Sequence, residues 1–252
     1  MKIKTEEAAS LSLGILIILF WHFSYRVSCL SLIFPILAGL LIFNGVYEFK
    51  IKKRECTAEC YFEKRAFLYK IFTRKGIIFI HSTISAAILA TALSLFLTDL
   101  DKESCAVLLI GIPLSIFLYD FLLKRGSLKK HVAKNASSTI NALILTLTLL
   151  TLSLYRTPPE YVNESLAKTI ELSVKKPLSK CETIDAVLVC LKYAKAVKWW
   201  MILKFSLIDL KYFIKLIVWI LFLIGNYMAL LAFGKYILEI KTLTEKFTDE
   251  KR

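Results

Sequence analysis

Six long apolar runs divide this chain of 252 residues and limit its possible folds more than any other feature. Each run has 18 to 22 residues, and at a rise of about 1.5 Å per residue a helix of that length crosses the ~30 Å hydrocarbon core of a bilayer. Hydrophobic residues make up 57% of the chain, against about 45–50% in soluble proteins, so six buried helices of a soluble core are a poor alternative. The sequence therefore predicts an all-α integral membrane protein with about six transmembrane helices. The predicted spans are residues 8–25, 27–46, 77–98, 105–123, 137–154 and 216–233.

Basic residues are distributed unequally over the connections between these spans. Segment 47–76 contains nine Lys or Arg residues and segment 124–136 contains five, whereas the short connections on the other side contain only Arg26 and Lys102. Because Lys and Arg concentrate on the cytoplasmic side of a membrane, we expect both termini to be cytoplasmic, in a multi-pass protein of a bacterial inner (plasma) membrane. The chain then divides into a membrane region with five spans at 1–155, a small outer helical segment at 156–215, and the last span with a cytosolic tail at 216–252.

The outer segment begins with signals for a helix start. Thr157 and Glu160 have the spacing of a capping box around Pro158, and Pro177 would end the helix. Apolar residues then recur at every fourth position, which is typical of an amphipathic helix, here of about 17 residues. These residues are Val162, Leu166, Ile170 and Val174.

Lysine and tryptophan are concentrated near the end of the outer segment. Lys192, Lys195 and Lys198 lie within one arc of a helix, and Trp199 and Trp200 follow directly. We predict that these residues anchor the chain at the lipid headgroups, where lysine side chains extend toward water and tryptophan is enriched. Packing within the outer segment is the alternative. Nucleic-acid binding is not expected, because the basic face changes partway along the helix instead of continuing on one surface.

The basic segment 47–76 also contains several aromatic residues. Two interpretations remain open for it. It either lies on anionic lipid, which contributes about 1 kcal/mol per nearby basic residue, or it forms a docking surface for a cytosolic protein. The expected partners are therefore membrane lipids and a protein, which is either another copy of this chain or a different chain.

Four polar residues lie inside the predicted spans, where their burial in lipid would be costly. For His81, Asn141 and Asn226 we expect hydrogen bonds between helices, with proton or ion handling as the alternative. Asp120 is near the cytosolic end of the fourth span and four residues before Lys124, so we expect it to form an ion pair at headgroup level.

Small residues repeat at every fourth position of the third span and form one continuous stripe. Such stripes allow two helix backbones to approach closely. The sequence does not tell whether the partner helix belongs to the same chain or to another copy. The stripe consists of Ser82, Ala86, Ala90 and Ser94.

Four of the six cysteines lie on or near the predicted outer side, where disulfides form if that side is oxidising. A Cys181–Cys190 disulfide is possible only if the chain bends between them. On one straight helix the two residues would be ~13 Å apart in rise, against a usual Cα separation of about 5.5 Å. Cys56 and Cys60 are expected to be free thiols, since two thiols alone do not complete a metal site.

Motifs for catalysis are absent from the sequence: there is no P-loop, no G-x-S-x-G and no H-E-x-x-H. We therefore predict no catalytic residue, no cofactor and no metal site. The leading hypothesis is a non-enzymatic scaffold or sensor-type membrane component that couples the outer helical segment to the basic cytosolic surface. Small membrane proteins of this type often act as defence or exclusion accessory factors in bacteria, which is an association only. The alternative is an ion-conducting channel or transporter subunit with a pore lined by Asn141, Thr148 and Asn226.

Overall fold

The computed structural model describes residues 5–25, 29–63, 66–98, 100, 102–154, 161–174, 181–207 and 212–249. These residues form nine α-helices and one short 3-10 helix (Cys29–Leu32), and no strand occurs among them. The predicted all-α class is thus confirmed for the described chain. The helices are α1 (Thr5–Ser24), α2 (Ile33–Tyr61), α3 (Phe67–Phe72), α4 (Lys75–Thr98), α5 (Lys102–Lys124), α6 (Lys130–Leu154), α7 (Leu166–Val174), α8 (Glu182–Leu207) and α9 (Tyr212–Asp249).

Five helical stretches of the described residues are long and apolar enough to cross a membrane. The first predicted span corresponds to α1, in which the apolar part, Gly14–Ser24, is shorter. A count of six spans therefore stays a prediction. The five stretches are Cys29–Tyr61, Phe67–Thr98, Glu103–Lys124, Lys130–Leu152 and Leu223–Phe247.

Helix α9 lies at the centre of the bundle, where it packs against α1, α2, α4, α5 and α6. Small residues make this arrangement possible. A Cβ atom at Gly234 would be only 3.3 Å from the Cα atom of Ser138 on α6, so the two backbones are nearly in contact. Ala232, Ser138 and Ala142 are fully buried around this point. Close approach of backbones replaces hydrophobic transfer as the source of stability between helices in lipid.

The last predicted span, residues 216–233, ends before the charged part of α9. The helix continues to Asp249. Among the α9 side chains whose burial is described, the buried ones extend from Ala229 to Thr242, a stretch that includes Glu239 and Lys241. The prediction ended at residue 233 because charged residues follow, and charge normally marks the end of a span. Here the charges are paired inside the bundle, so the helix continues through them.

The stripe of small residues on α4 faces the interior of this same chain. Ser82, Ala86, Ala90 and Ser94 are all buried, and a Cβ atom at Gly39 on α2 would be 3.6 Å from that of Ala90. For Ala90, the partner helix is therefore α2 of the same chain. The other face of α4 is exposed through Ile80, Ile84 and Ile88.

A disulfide bond joins Cys29, just before α2, to Cys181, just before α8, with the two Cα atoms 5.2 Å apart. The possible Cys181–Cys190 bond is thus wrong, and Cys190 is an exposed free thiol. The reason is geometric: α8 runs without a bend from Glu182, so Cys190 stays more than two helical turns away, whereas the start of α2 lies next to Cys181. Sequence spacing alone gives no sign of this pairing, because 152 positions separate the two residues.

Helix α7 begins later than the capping box predicted. Thr157, Pro158, Glu160 and Pro177 lie outside the described residues, but residues 161–165 are described and are not helical. The hydroxyl of Thr169 accepts a hydrogen bond from the Asn163 backbone N–H (2.9 Å) and donates one to the Ser165 carbonyl (2.9 Å). Such local bonds between side chain and backbone compete with the helix, and they leave α7 with nine residues.

Ala90→Leu should destabilise the protein by about 1–3 kcal/mol, because a bulky side chain on the α2 contact face forces the helices apart. The matched control is Ala87→Leu, which makes the same change at an exposed position of α4. The measurement is the temperature at which the detergent-solubilised protein loses its monodisperse size-exclusion peak. Equal temperatures for the two variants would show that the stripe does not carry close packing.

Candidate functional site: a buried charged cluster

Both ends of the helix bundle have distinct chemistry. The basic end is the end where α2, α5 and α9 finish and α4 and α6 begin. The disulfide end is the opposite one, which contains the Cys29–Cys181 bond. A charged cluster lies inside the bundle near the basic end. It consists of Asp120 of α5, Lys134 and Asn135 of α6, and Lys235, Glu239 and Lys241 of α9.

Glu239 lies at the centre of the charged cluster with only 2% of its side chain exposed. Its Oε1 atom is 2.5 Å from the Nζ atom of Lys134. A Cβ atom at Gly45 on α2 would overlap Oε1, so a larger residue where α2 passes the carboxylate would force the Glu239 side chain to shift. A buried carboxylate is tolerated only when it is paired, and Lys134 supplies that pairing from a neighbouring helix.

Lys241 forms the second ion pair of the cluster. Its side chain is 6% exposed, and its Nζ atom is 2.6 Å from Asp120 Oδ1. The same Nζ atom lies 5.0 Å from the ring centroid of Tyr119, a distance that permits a cation–π interaction. Asp120 is thus in an ion pair, and its partner is on α9 rather than at Lys124, the neighbouring basic residue on its own helix.

Lys235 completes the cluster through an amide. Its Nζ atom donates to Asn135 Oδ1 at 2.7 Å, while Lys134 also donates to the hydroxyl of Thr242 at 3.1 Å. A small cavity of about 10 Å³ adjoins these groups, which is room for about one water molecule. It is lined by Gly45, Glu48, Phe49, His131, Lys134, Asn135, Lys235 and Glu239.

The cluster can join helices but does not form a metal centre. Among the described residues, no group of three or more His, Cys, Asp or Glu side chains is placed to hold a metal ion. The charges instead alternate between carboxylate and ammonium groups, and each pair connects α9 with α5 or α6. The arrangement therefore fixes the position of α9 along its own axis.

The other polar residues predicted inside spans lie at different depths. His81 is exposed near the basic end, with its Nδ1 atom 2.8 Å from Lys50 Nζ. Asn141 is fully buried and donates through Nδ2 to the Gly111 carbonyl (3.2 Å) and to Ser115 Oγ (2.6 Å). It therefore joins α6 to α5. Asn226 lies on α9, toward the disulfide end, with intermediate exposure.

Two of the three residues of the channel alternative, Asn141 and Thr148, do not face a common space. Asn141 is enclosed between α5 and α6. Thr148 is exposed on the outside of α6, and its hydroxyl donates to the Ile144 carbonyl of the same helix at 3.0 Å. These side chains thus face different environments.

The predicted interface-anchoring residues are on α8, which packs against α7. Trp199 is buried, and Trp200 donates from Nε1 to the carbonyl of Glu164 at 3.1 Å. For the two tryptophans these contacts favour the alternative, packing within the outer segment. Lys192 has intermediate exposure, and the side chains of Lys195 and Lys198 lie outside what the structure describes.

Sequence reasoning missed the centre of the charged cluster, although a signal is present. In the stretch "KYILEIK", residues 235–241, apolar residues surround Glu239 on all sides of the helix. A helix without a polar face is typically buried, which would have indicated that the two lysines and the glutamate lie inside the bundle. The partners on α5 and α6 could not have been identified from this stretch.

Comparisons with known proteins give no relative. No protein-family model matches this chain, and no curated protein and no solved structure matches it.

Breaking the central ion pair should be strongly destabilising. Glu239→Leu alone should lower stability by about 3–5 kcal/mol, because it leaves Lys134 buried without a counter-charge, and the double variant Lys134→Met/Glu239→Leu should recover much of that loss. The matched control is the pair Lys130–Glu245, at 3.3 Å with Lys130 54% exposed, where Lys130→Met should cost no more than about 1 kcal/mol.

The measurement for both pairs is thermal unfolding of the protein in detergent. If the double variant is as unstable as the sum of the two single variants, Glu239 and Lys134 do not act as a pair.

Proposed function

We propose that this chain is a non-enzymatic component of a membrane complex that couples its outer helical segment, α7 and α8, to a protein-binding surface at the basic end. One observation carries the proposal: a single helical rod, from Cys29 through the end of α2 at Tyr61, connects the two ends, and the Cys29–Cys181 bond joins it covalently to the start of α8. A displacement of α8 therefore acts directly on α2.

The length of α2 supports this role. Its 29 residues extend about 43 Å at 1.5 Å per residue, which exceeds the ~30 Å hydrocarbon core. The helix therefore continues past the membrane at the basic end. A helix of this kind transmits a shift along its axis, since its backbone hydrogen bonds resist stretching.

The basic surface at the end of this rod is exposed and partly apolar. It combines the C-terminal part of α2, all of α3 and the start of α4. Apolar side chains surrounded by charged ones mark a surface for another molecule. The exposed apolar residues are Tyr61, Phe67, Leu68 and Ile71, and the exposed basic residues are Lys52, Lys53, Lys70, Arg74 and Lys75.

The proposed orientation places the basic end in the cytoplasm of a bacterial cell and counts α1 as a sixth span. The arrangement of the helices supports it, because both strongly basic connections belong to the same end. Lys50 of α2 contacts His81 of α4, and Lys134 of α6 contacts Glu239 of α9. The twelve Lys and Arg residues of segments 47–76 and 124–136 that the structure describes are thus at one end of the bundle, as the positive-inside rule requires.

Native cysteines provide a direct test of this orientation. Cys190 is exposed at the disulfide end, and Cys56 and Cys60 are exposed at the basic end. In intact cells a membrane-impermeant maleimide should label Cys190 and should label Cys56 and Cys60 only after permeabilisation. Cys29 and Cys181 should become reactive only after reduction. Labelling of Cys56 and Cys60 in intact cells would reverse the orientation.

Coupling between the ends is tested by removing the disulfide at one end and measuring cysteine labelling rates at the basic end. In membranes that contain the full chain, the double variant Cys29→Ser/Cys181→Ser should change the maleimide labelling rates of Cys56 and Cys60 several-fold, because α2 is no longer held at its start. Cys190→Ser is the matched control, since it removes a cysteine at the same end without breaking a bond. Identical rates in all three proteins would show that the ends are independent.

Ion flux separates this function from the channel alternative. A coupling component reconstituted in liposomes should give no flux above that of empty liposomes. Ion flux that disappears in the Asn141→Leu variant would show that the protein is a channel. That result would overturn the proposed function whatever the labelling rates show.

A further inference from the structure

An apolar groove lies between α1 and α5 at the disulfide end of the bundle. Helix α1 packs on α4 and α9, and α5 packs on α6 and α9, so α1 and α5 stand apart and leave a space of about 400 Å³ between them. Leu97 of α4 forms part of its floor. The space opens sideways, between helices that have the length and apolar character of membrane spans.

Polarity along the groove changes from one end to the other. His22, in the last turn of α1, and Cys105, in the first turn of α5, lie at the disulfide end of the groove. Ile15 and Ile112 lie seven residues further into the bundle on the same two helices, about 10 Å deeper at 1.5 Å per residue. The deeper lining residues that the structure describes are all aliphatic. An amphiphile needs this gradient, with a polar group at the mouth and hydrocarbon below it.

The mouth of the groove has an unused polar atom. The Nδ1 atom of His22 is buried and makes no hydrogen bond to the described residues. A buried polar atom without a partner is costly. Because the His22 side chain lines the groove, a turn of its imidazole ring about the Cβ–Cγ bond would bring this nitrogen to a ligand oxygen at the groove mouth. Water is a poor occupant for the remainder of the groove, because it needs two to four polar partners.

We propose that this groove binds one acyl chain of a phospholipid, with the glycerol and phosphate groups beside His22 at the disulfide end. The surrounding membrane supplies this ligand at high concentration, and the aliphatic lining matches a hydrocarbon chain. Helices α1, α4 and α5 enclose the acyl chain on three sides. The bound lipid therefore exchanges more slowly than lipid on the open Ile80–Ile84–Ile88 face of α4. The site is independent of the coupling function.

The test uses the full chain, cross-linked in its membrane to a phospholipid that carries a photoreactive diazirine near the end of one acyl chain. Peptide mass spectrometry should locate the cross-links mainly on the parts of α1 and α5 that line the groove. Ala106→Trp fills the groove from α5 and should reduce these cross-links several-fold. Ala87→Trp, on an exposed position outside the groove, should leave them unchanged. Leu109→Trp, also in the lining, replaces Ala106→Trp if that variant does not fold.

Native mass spectrometry of the purified protein gives the second measurement. One retained phospholipid is expected, and His22→Phe should reduce its retention while the cross-links of the acyl chain stay in the groove. Cross-links spread evenly around the bundle would show ordinary boundary lipid and overturn the site. Retention of a free fatty acid in place of a phospholipid would also overturn the proposed occupant. So would a covalent link between α1 of one copy and α5 of another, because a second protein chain would then fill the groove.

Discussion

The contact between Lys134 and Glu239 is the interaction on which the rest of the bundle depends. It allows a charged segment of α9 to lie in the interior of the bundle, close to α2, α5 and α6. Glu239 can occupy this place because Gly45 leaves space for its carboxylate. Without a counter-charge, burial of this group would cost several kcal/mol.

The second ion pair, Lys241–Asp120, lies on the opposite side of α9. It requires α5 to place a counter-charge next to α9, as the first pair requires of α6. Together the two pairs determine how deep α9 is placed, because sliding it by one helical turn, about 5.4 Å, would break both at once. Apolar packing alone defines this depth less sharply, since a slide by one turn brings one leucine or isoleucine side chain to the place of another of similar size. The charged cluster therefore supplies specificity of position, and the small residues of α4, α6 and α9 supply close contact.

Much of the fold could be predicted from the sequence, because the length and apolar character of a span are local properties. The helices α2, α4, α5 and α6, which account for most of the predicted spans 27–46, 77–98, 105–123 and 137–154, follow from the apolar runs alone. The stripe from Ser82 to Ser94 does lie on a packed face. The cluster could not be predicted in the same way, since it depends on the pairing of Glu239 with a residue 105 positions earlier. The Cys29–Cys181 bond could not be predicted either, because it also joins residues far apart in the sequence. The later start of α7 depends on hydrogen bonds of the Thr169 hydroxyl, which the amino-acid composition does not show.

The disulfide also has a consequence for how the chain is made. Between Cys29 and Cys181 lie four helices long and apolar enough to span a bilayer, in α2, α4, α5 and α6. Only an even number of crossings returns a chain to the face from which it started. In the proposed orientation, the two cysteines therefore meet when all four helices have inserted, and they end on opposite faces when a single one of them is missed. The bond thus excludes molecules in which one crossing has failed.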